Sequence, residues 1–229
     1  MTKLSVVIAR YDEDLSWLEC FKDLSDSMDL SVHFFVYDKG FLVHPLDVES
    51  LRQRLSSFAE AVHHVALPNV GREGHTYLHH MIHAVAPPFR EGHYTMFLQG
   101  KIADHIGCPI ETYVRNMLQD AERHGVSSST ARAHDFGGNS ATYGFRITHW
   151  QAPLEPASTA PFGAWFESRL CKKFPDPVIW WAGALFCVHD PRIGAARSKG
   201  ILQNVMKDLD VHNPEAGHFL ERAWLYVFA

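Results

Sequence analysis

The sequence predicts an α/β fold: a single domain whose mostly parallel sheet carries helices on both faces. Three observations carry this expectation. Strand-like and helix-like segments alternate four times within the first 125 residues. The first strand-like segment, Leu4-Ser5-Val6-Val7-Ile8-Ala9, is a short apolar run of the kind buried on both sides of a sheet. The chain has 229 residues, 46% hydrophobic and 21% charged, which suits one sizeable core and is short for two full domains.

Taken in order, the first strand stops at Arg10-Tyr11-Asp12-Glu13-Asp14, after which Leu15, Leu18, Phe21 and Leu24 keep helical spacing. Val32-His33-Phe34-Phe35-Val36-Tyr37 is a second strand, halted by the turn Asp38-Lys39-Gly40, and Val48, Leu51, Leu55 and Phe58 mark a second helix. Residues 62–67 form a third strand, and Pro68-Asn69 turns the chain into a helix that Pro87-Pro88 ends. At about 100° per residue, Leu78, Met81, Ile82 and Val85 of this helix face the core, while His80 and His83 face solvent. His75 falls at the edge of the buried face, with His79 beside it. Gly71 and Gly74 give positive-φ freedom or room for a ligand, and the helix start beside Arg72 suits an anion. Tyr94-Thr95-Met96-Phe97-Leu98 is the fourth strand and runs into Gln99-Gly100-Lys101-Ile102-Ala103-Asp104-His105. Ile110, Tyr113, Val114, Met117, Leu118 and Ala121 then mark an amphipathic helix.

The remainder is less regular. Residues 127–144 read as loops with short strands, and Gly137-Gly138-Asn139-Ser140 lacks the Lys-Ser/Thr ending of a phosphate loop. Residues 151–161 read as a connection and 162–172 as a helix. Residues 178–188 read as one strand, with Gly183 at a bulge or close approach. Residues 190–210 look helical with a break near Gly200. The last helix is expected to start with Asn213 as cap and Pro214 as first residue, its apolar face built on Phe219, Leu220, Ala223, Trp224, Val227 and Phe228.

The net charge of −5 implies no general affinity for nucleic acid or anionic membranes, so phosphate recognition must come from a local basic cluster. Cys20, Cys108, Cys171 and Cys187 are scattered without a Cys-x-x-Cys pair, which argues against a structural zinc site and a disulfide framework and for reduced, cytoplasmic thiols. The short apolar run from Leu4 to Ala9, followed at once by Asp12-Glu13-Asp14, does not read as a signal peptide, and no apolar run in the sequence is long enough to span a bilayer.

In parallel sheets ligands bind outside the carboxyl ends of the strands, where strand order reverses. The candidate loops are therefore residues 10–14, 38–40, 69–75 and 99–105. In this order they resemble the nucleotide-sugar-binding half of a GT-A glycosyltransferase, a Rossmann-like fold. Val6-Val7-Ile8-Ala9-Arg10-Tyr11-Asp12-Glu13 is similar to its opening strand and loop, and Val36-Tyr37-Asp38-Lys39-Gly40 to its second-strand acidic turn. Leu67-Pro68-Asn69-Val70-Gly71-Arg72 is similar to its Asn-x-Gly turn, Trp181-Ala182-Gly183-Ala184-Leu185-Phe186 to its acceptor-side strand, and Glu221-Arg222 to its late acidic motif. More specifically, Gly71-Arg72-Glu73-Gly74-His75-Thr76-Tyr77-Leu78-His79-His80, Phe97-Leu98-Gln99-Gly100 and Glu221-Arg222-Ala223-Trp224 resemble an uncharacterised domain family of fungi and bacteria, a likeness that supplies no activity.

The resemblance implies a nucleotide-binding half over residues 1–125 and an acceptor half over 126–229. It implies a nucleotide-sugar donor and an acceptor of unknown identity. Asp12 and Asp38 would contact the nucleoside and Arg72 and Lys101 the leaving diphosphate, with Arg10, Asn69, Gly71, His75 and Gln99 as further substrate-binding residues. Trp180 or Trp181 would stack on a sugar face, the other being core, and Glu221, or else Asp190, would be the base. Gln99 and Lys101 stand where the family's metal-binding Asp-x-Asp belongs, so positive charge must come from Arg72 and Lys101 or from a divalent ion held elsewhere. Asp104, His105, His75 and His79 are the candidate ligands for such an ion, and equally for a metal-dependent enzyme of another class. A GT-A fold that binds without catalysis is the third reading.

Overall fold

The computed structural model describes residues 1–40, 45–84, 90–128, 131–134, 154–175 and 177–229. Val85, Pro87-Pro88 and Gly137-Gly138-Asn139-Ser140 lie outside the described residues. The architecture is mixed α/β, with a six-stranded, mostly parallel sheet and eight α-helices among the described residues. The chain divides into two compact units, Met1–Pro68 with Pro87–Ser129 and Leu185–Pro191, and Asn69–Ala86 with Thr130–Ala184 and Arg192–Ala229. They interleave along the sequence.

The first unit contains β1 (Thr2–Arg10), α1 (Phe21–Met28), β2 (Leu30–Asp38), α2 (Pro45–Leu55) and β3 (Ala59–Ala66). After α3 (Arg72–His83), which belongs to the second unit, it continues with β4 (His93–Gln99), α4 (Ile110–His124) and β5 (Val126–Ser127). The later strand β8 (Phe186–His189) completes its sheet in the order β3-β2-β1-β4-β8-β5. The first four strands of that order are parallel, and β8 runs antiparallel to β4 and β5. Alternation of side chains along each strand explains the packing. Leu4, Val6 and Ile8, Val32, Phe34 and Val36, and Met96 and Leu98 share one core with Phe21 and Leu24 of α1 and Val114, Met117 and Leu118 of α4. Phe21 and Phe34 meet edge to face, 5.4 Å between ring centroids. On the opposite sheet face Val7, Phe97 and Phe186 are also buried, so these strands read as near-continuous apolar runs.

The second unit contains α3, the two-stranded sheet of β6 (Ala131–His134) with β7 (Val178–Trp181), α5 (Phe162–Leu170), α6 (Asp190–Ser198) from Arg192 onward, α7 (Ile201–Met206) and α8 (Glu215–Val227). Its centre is aromatic: Phe162 stacks on Phe219 at 5.3 Å, and Trp165, Phe166, Tyr77 and Trp224 are fully buried. Asp208 is the polar counterpart of this core. It accepts hydrogen bonds from Trp165 Nε1 (2.9 Å), Arg169 Nε (2.5 Å) and Ser158 Oγ (2.7 Å). Burial opposes its ionisation, but these donors outweigh burial and hold its carboxyl below the ordinary value.

Three expectations change here. Residues 178–188 are not one strand: β7 and β8 belong to different sheets, because Gly183 (φ 74°) and Ala184 (φ 50°) are both left-handed and break the extended chain. His80 is buried at 1% exposure, not solvated, because α3 packs on α7 and α8 and is enclosed beyond its apolar stripe. The last helix starts at Glu215 with Pro214 in the cap position, one residue later than the Asn213 cap suggests. The expected break near Gly200 is present, at φ 70° between α6 and α7.

Candidate functional site

In the first unit the parallel register of β1 and β2 sets Arg10 opposite Asp38 at the carboxyl end of the sheet. The Asp38 side chain is fully buried, and its Oδ2 accepts a hydrogen bond from Arg10 Nη1 at 2.6 Å. Its Oδ1 accepts from the Gly40 N–H at 2.9 Å, and His64 Nε2, from β3, stands 3.7 Å away. Arg10 is held a second time, its Nε donating to the Glu13 carbonyl at 2.9 Å. Asp38 is thus satisfied by the protein's own groups. Beside this pair lies a cavity of about 320 Å³, walled by Leu15, Val36, Val48 and Leu51 and edged by Arg10, Glu13, Arg54 and His64.

Strand order reverses between β1 and β4 in this sheet, and the loop after β1 occupies that point. The Glu13 carboxylate accepts from the Tyr11 N–H (2.7 Å) and lies so close to Gly100 that a Cβ there would fall 2.5 Å from Glu13 Oε2. Trp17 Nε1 donates to the Gly100 carbonyl at 2.8 Å. Asp12 is exposed and Gln99 half-buried. Lys101 pairs with Asp104 at 2.8 Å, both largely exposed, and His105 is exposed. Asp190, buried at the head of α6, accepts a hydrogen bond from Thr95 Oγ1 at 2.7 Å. Burial pushes its carboxyl up despite that bond.

The second unit brings together Arg72, Glu221 and Trp180, three of the candidate site residues, through Arg222, which the sequence marked only as part of the Glu221-Arg222 motif, and His218, which it did not mark. Arg72 Nη1 lies 3.0 Å from His218 Nε2. One turn along α8, Arg222 Nη1 donates to the His218 carbonyl at 2.8 Å, and its guanidinium sits 4.8 Å above the Trp180 ring. Glu221 accepts the Gly183 N–H at 3.1 Å and stands 3.4 Å from Arg222, while Glu73 stands 3.7 Å from Arg72. Burial pushes the Glu221 carboxyl up; Arg222 opposes and Glu73 adds to the rise. Burial, with Arg72 and Arg222 as neighbours, pushes His218 down to about 3. Trp181 is buried and belongs to the core.

Two backbone turns with left-handed residues supply this cluster: Gly71 (φ 61°) followed by Arg72 (φ 53°), and Gly183 followed by Ala184. Non-glycine residues in this region cost about 1–2 kcal/mol each, and such strain gathers at functional sites. Gly71, expected to supply positive-φ freedom or room for a ligand, takes the positive φ and packs against the protein itself. Its N–H donates to the Val211 carbonyl at 2.7 Å, and a Cβ on it would lie 2.4 Å from the Leu209 carbonyl oxygen. Gly71→Ala is therefore expected to destabilise the protein by about 2–3 kcal/mol in urea unfolding. Gly200→Ala, also at positive φ but with nothing within 4 Å, is the control that isolates the conformational part. Equal losses in the two variants would show that the Leu209 contact does not matter.

Asn69 is half-buried, His75 is buried with its ring 6.3 Å from that of His79, and all four cysteines are free. Among the described residues no three His, Cys, Asp or Glu side chains are grouped to hold a metal ion, and no helix is long and apolar enough to cross a membrane. Compared with known proteins, the chain matches no family model and no curated protein.

Proposed function

We propose that the protein is a glycosyltransferase-like enzyme that moves a sugar from a nucleotide-sugar donor to an acceptor hydroxyl, in the manner of the GT-A fold its loops resemble. The observation that carries the reading is the cavity at the carboxyl ends of β1 and β2. Its apolar walls, Leu15, Val36, Val48 and Leu51, suit a flat base, and Arg10, Arg54 and His64 offer donors at its edge. The β3-β2-β1-β4 order supports the same reading, since sheets of this kind bind nucleotides at that end. Within the second unit, the guanidiniums of Arg72 and Arg222 suit an anionic group, and Glu221, its proton affinity raised by burial, suits a general base. Trp180 offers an indole face to a sugar. The scattered thiols fit a cytoplasmic setting.

A binding protein of the same fold is the second reading, and the end of β4 favours it. Gln99 and Lys101 hold the places of the acidic pair, and Lys101 is paired with Asp104. Glu13 and Trp17 close on Gly100 at the strand-order reversal.

A panel of nucleotide sugars and free nucleoside diphosphates, followed by thermal shift and by donor hydrolysis, tests both. Stabilisation by one nucleotide series with slow hydrolysis of its sugar form is the expected result, because a ligand of the native state raises apparent stability. Stabilisation without turnover favours the binding protein, and no response to any compound rejects both.

A further inference from the structure

We propose that His218 is a positioning residue that holds the guanidiniums of Arg72 and Arg222 as a fixed pair for a phosphate group. The inference rests on the reading of that cluster as phosphate-binding. His218 is buried at 5% exposure and touches both arginines, one through its ring and one through its carbonyl, at 3.0 and 2.8 Å. The carboxylates beside these arginines stand further off, at 3.7 Å for Glu73 and 3.4 Å for Glu221.

The chemistry fixes the state of the ring. A guanidinium only donates, so Nε2 of His218 must accept from Arg72 and the ring proton must sit on Nδ1. A protonated ring would lose that acceptor and place a third positive charge between two others. Burial and the two arginines oppose protonation accordingly. The local sequence completes the arrangement. His218 and Arg222 are four apart on α8, which lets the arginine reach back to the histidine carbonyl. Trp180 supports the face of Arg222. Two arginines held this way lose less side-chain entropy when an anion binds.

The test is pyrophosphate titration by calorimetry of the wild type, His218→Ala, His218→Gln, Arg72→Ala and the double variant. His218→Ala is expected to weaken pyrophosphate about tenfold, the worth of one hydrogen bond to a charged group. His218→Gln, which retains an acceptor, is expected to stay within about threefold of wild type. The Arg72→Ala and His218→Ala losses should be strongly non-additive, because the histidine acts through the arginine, whereas a merely structural residue would add its effect. The wild-type ring, followed by nuclear magnetic resonance, should remain neutral with its proton on Nδ1 at pH 5, a readout independent of whether any variant folds. A ring that titrates near an ordinary histidine, or pyrophosphate binding that His218→Ala leaves unchanged, would overturn the assignment alone. Failure of the wild type to bind pyrophosphate would overturn the phosphate reading and this assignment with it.

Discussion

An Asp38→Ala variant is expected to lose about 3–5 kcal/mol of folding stability, the usual cost of stripping one partner from a buried ion pair. The carboxylate is fully enclosed, and its removal strands three groups at once. Arg10 loses its 2.6 Å partner, the Gly40 N–H loses its acceptor, and His64 loses the negative charge 3.7 Å from its ring. Gly40 cannot simply relax, since a Cβ on it would already lie 2.1 Å from the Tyr11 carbonyl, which shows how tightly the two loops approach. Urea unfolding checks the magnitude. The joint replacement Asp38→Leu with Arg10→Met should be milder than Asp38→Ala, because it leaves no charge buried alone. A loss below about 1 kcal/mol for Asp38→Ala would mean that the pair is solvated, since exposed pairs are worth only that much.

Glu221→Gln is expected to lower turnover of the donor by about 10²–10⁴-fold, the range spanned by loss of a general base. The amide keeps the shape and can still accept from Gly183, so stability should change little while proton transfer is lost. The pH dependence has a definite sign. Burial raises the Glu221 carboxyl above its ordinary 4.5, and a base works only when ionised. The rate of the wild type should therefore rise with pH through a limb lying above that value, and the residual rate of Glu221→Gln should lack the limb. Stability runs the opposite way. Because the folded protein holds this proton more tightly than the unfolded chain, Glu221 withdraws stability as pH rises from its ordinary value through its raised one. Rates and a rate profile unchanged by Glu221→Gln would remove Glu221 from the reaction.

The sheet of the first unit was legible because its strands are short apolar runs separated by amphipathic helices, and periodicity reports burial directly. Val6, Phe34 and Met96 had one place to go. The Arg10–Asp38 pair was half legible. Both residues stand at strand ends in the sequence, but only the β1–β2 register shows that they satisfy each other. His80 misled because a helical wheel assumes one buried side, and α3 is enclosed by more than one neighbour. Residues 178–188 misled because propensity cannot tell one long strand from two short strands joined at a left-handed break; Gly183 hinted at the break, Ala184 did not. His218 carried no signal among sixteen histidines, though its spacing of four from Arg222, with Glu221 between, was visible on the last helix.

The contact between Glu13 and Gly100 has a consequence for any substitution at position 100. The carboxylate that ties the loop after β1 to itself rests where any side chain at position 100 would stand. A side chain at position 100 is therefore met first by the Glu13 carboxylate, which must swing aside and give up the Tyr11 N–H that it now holds.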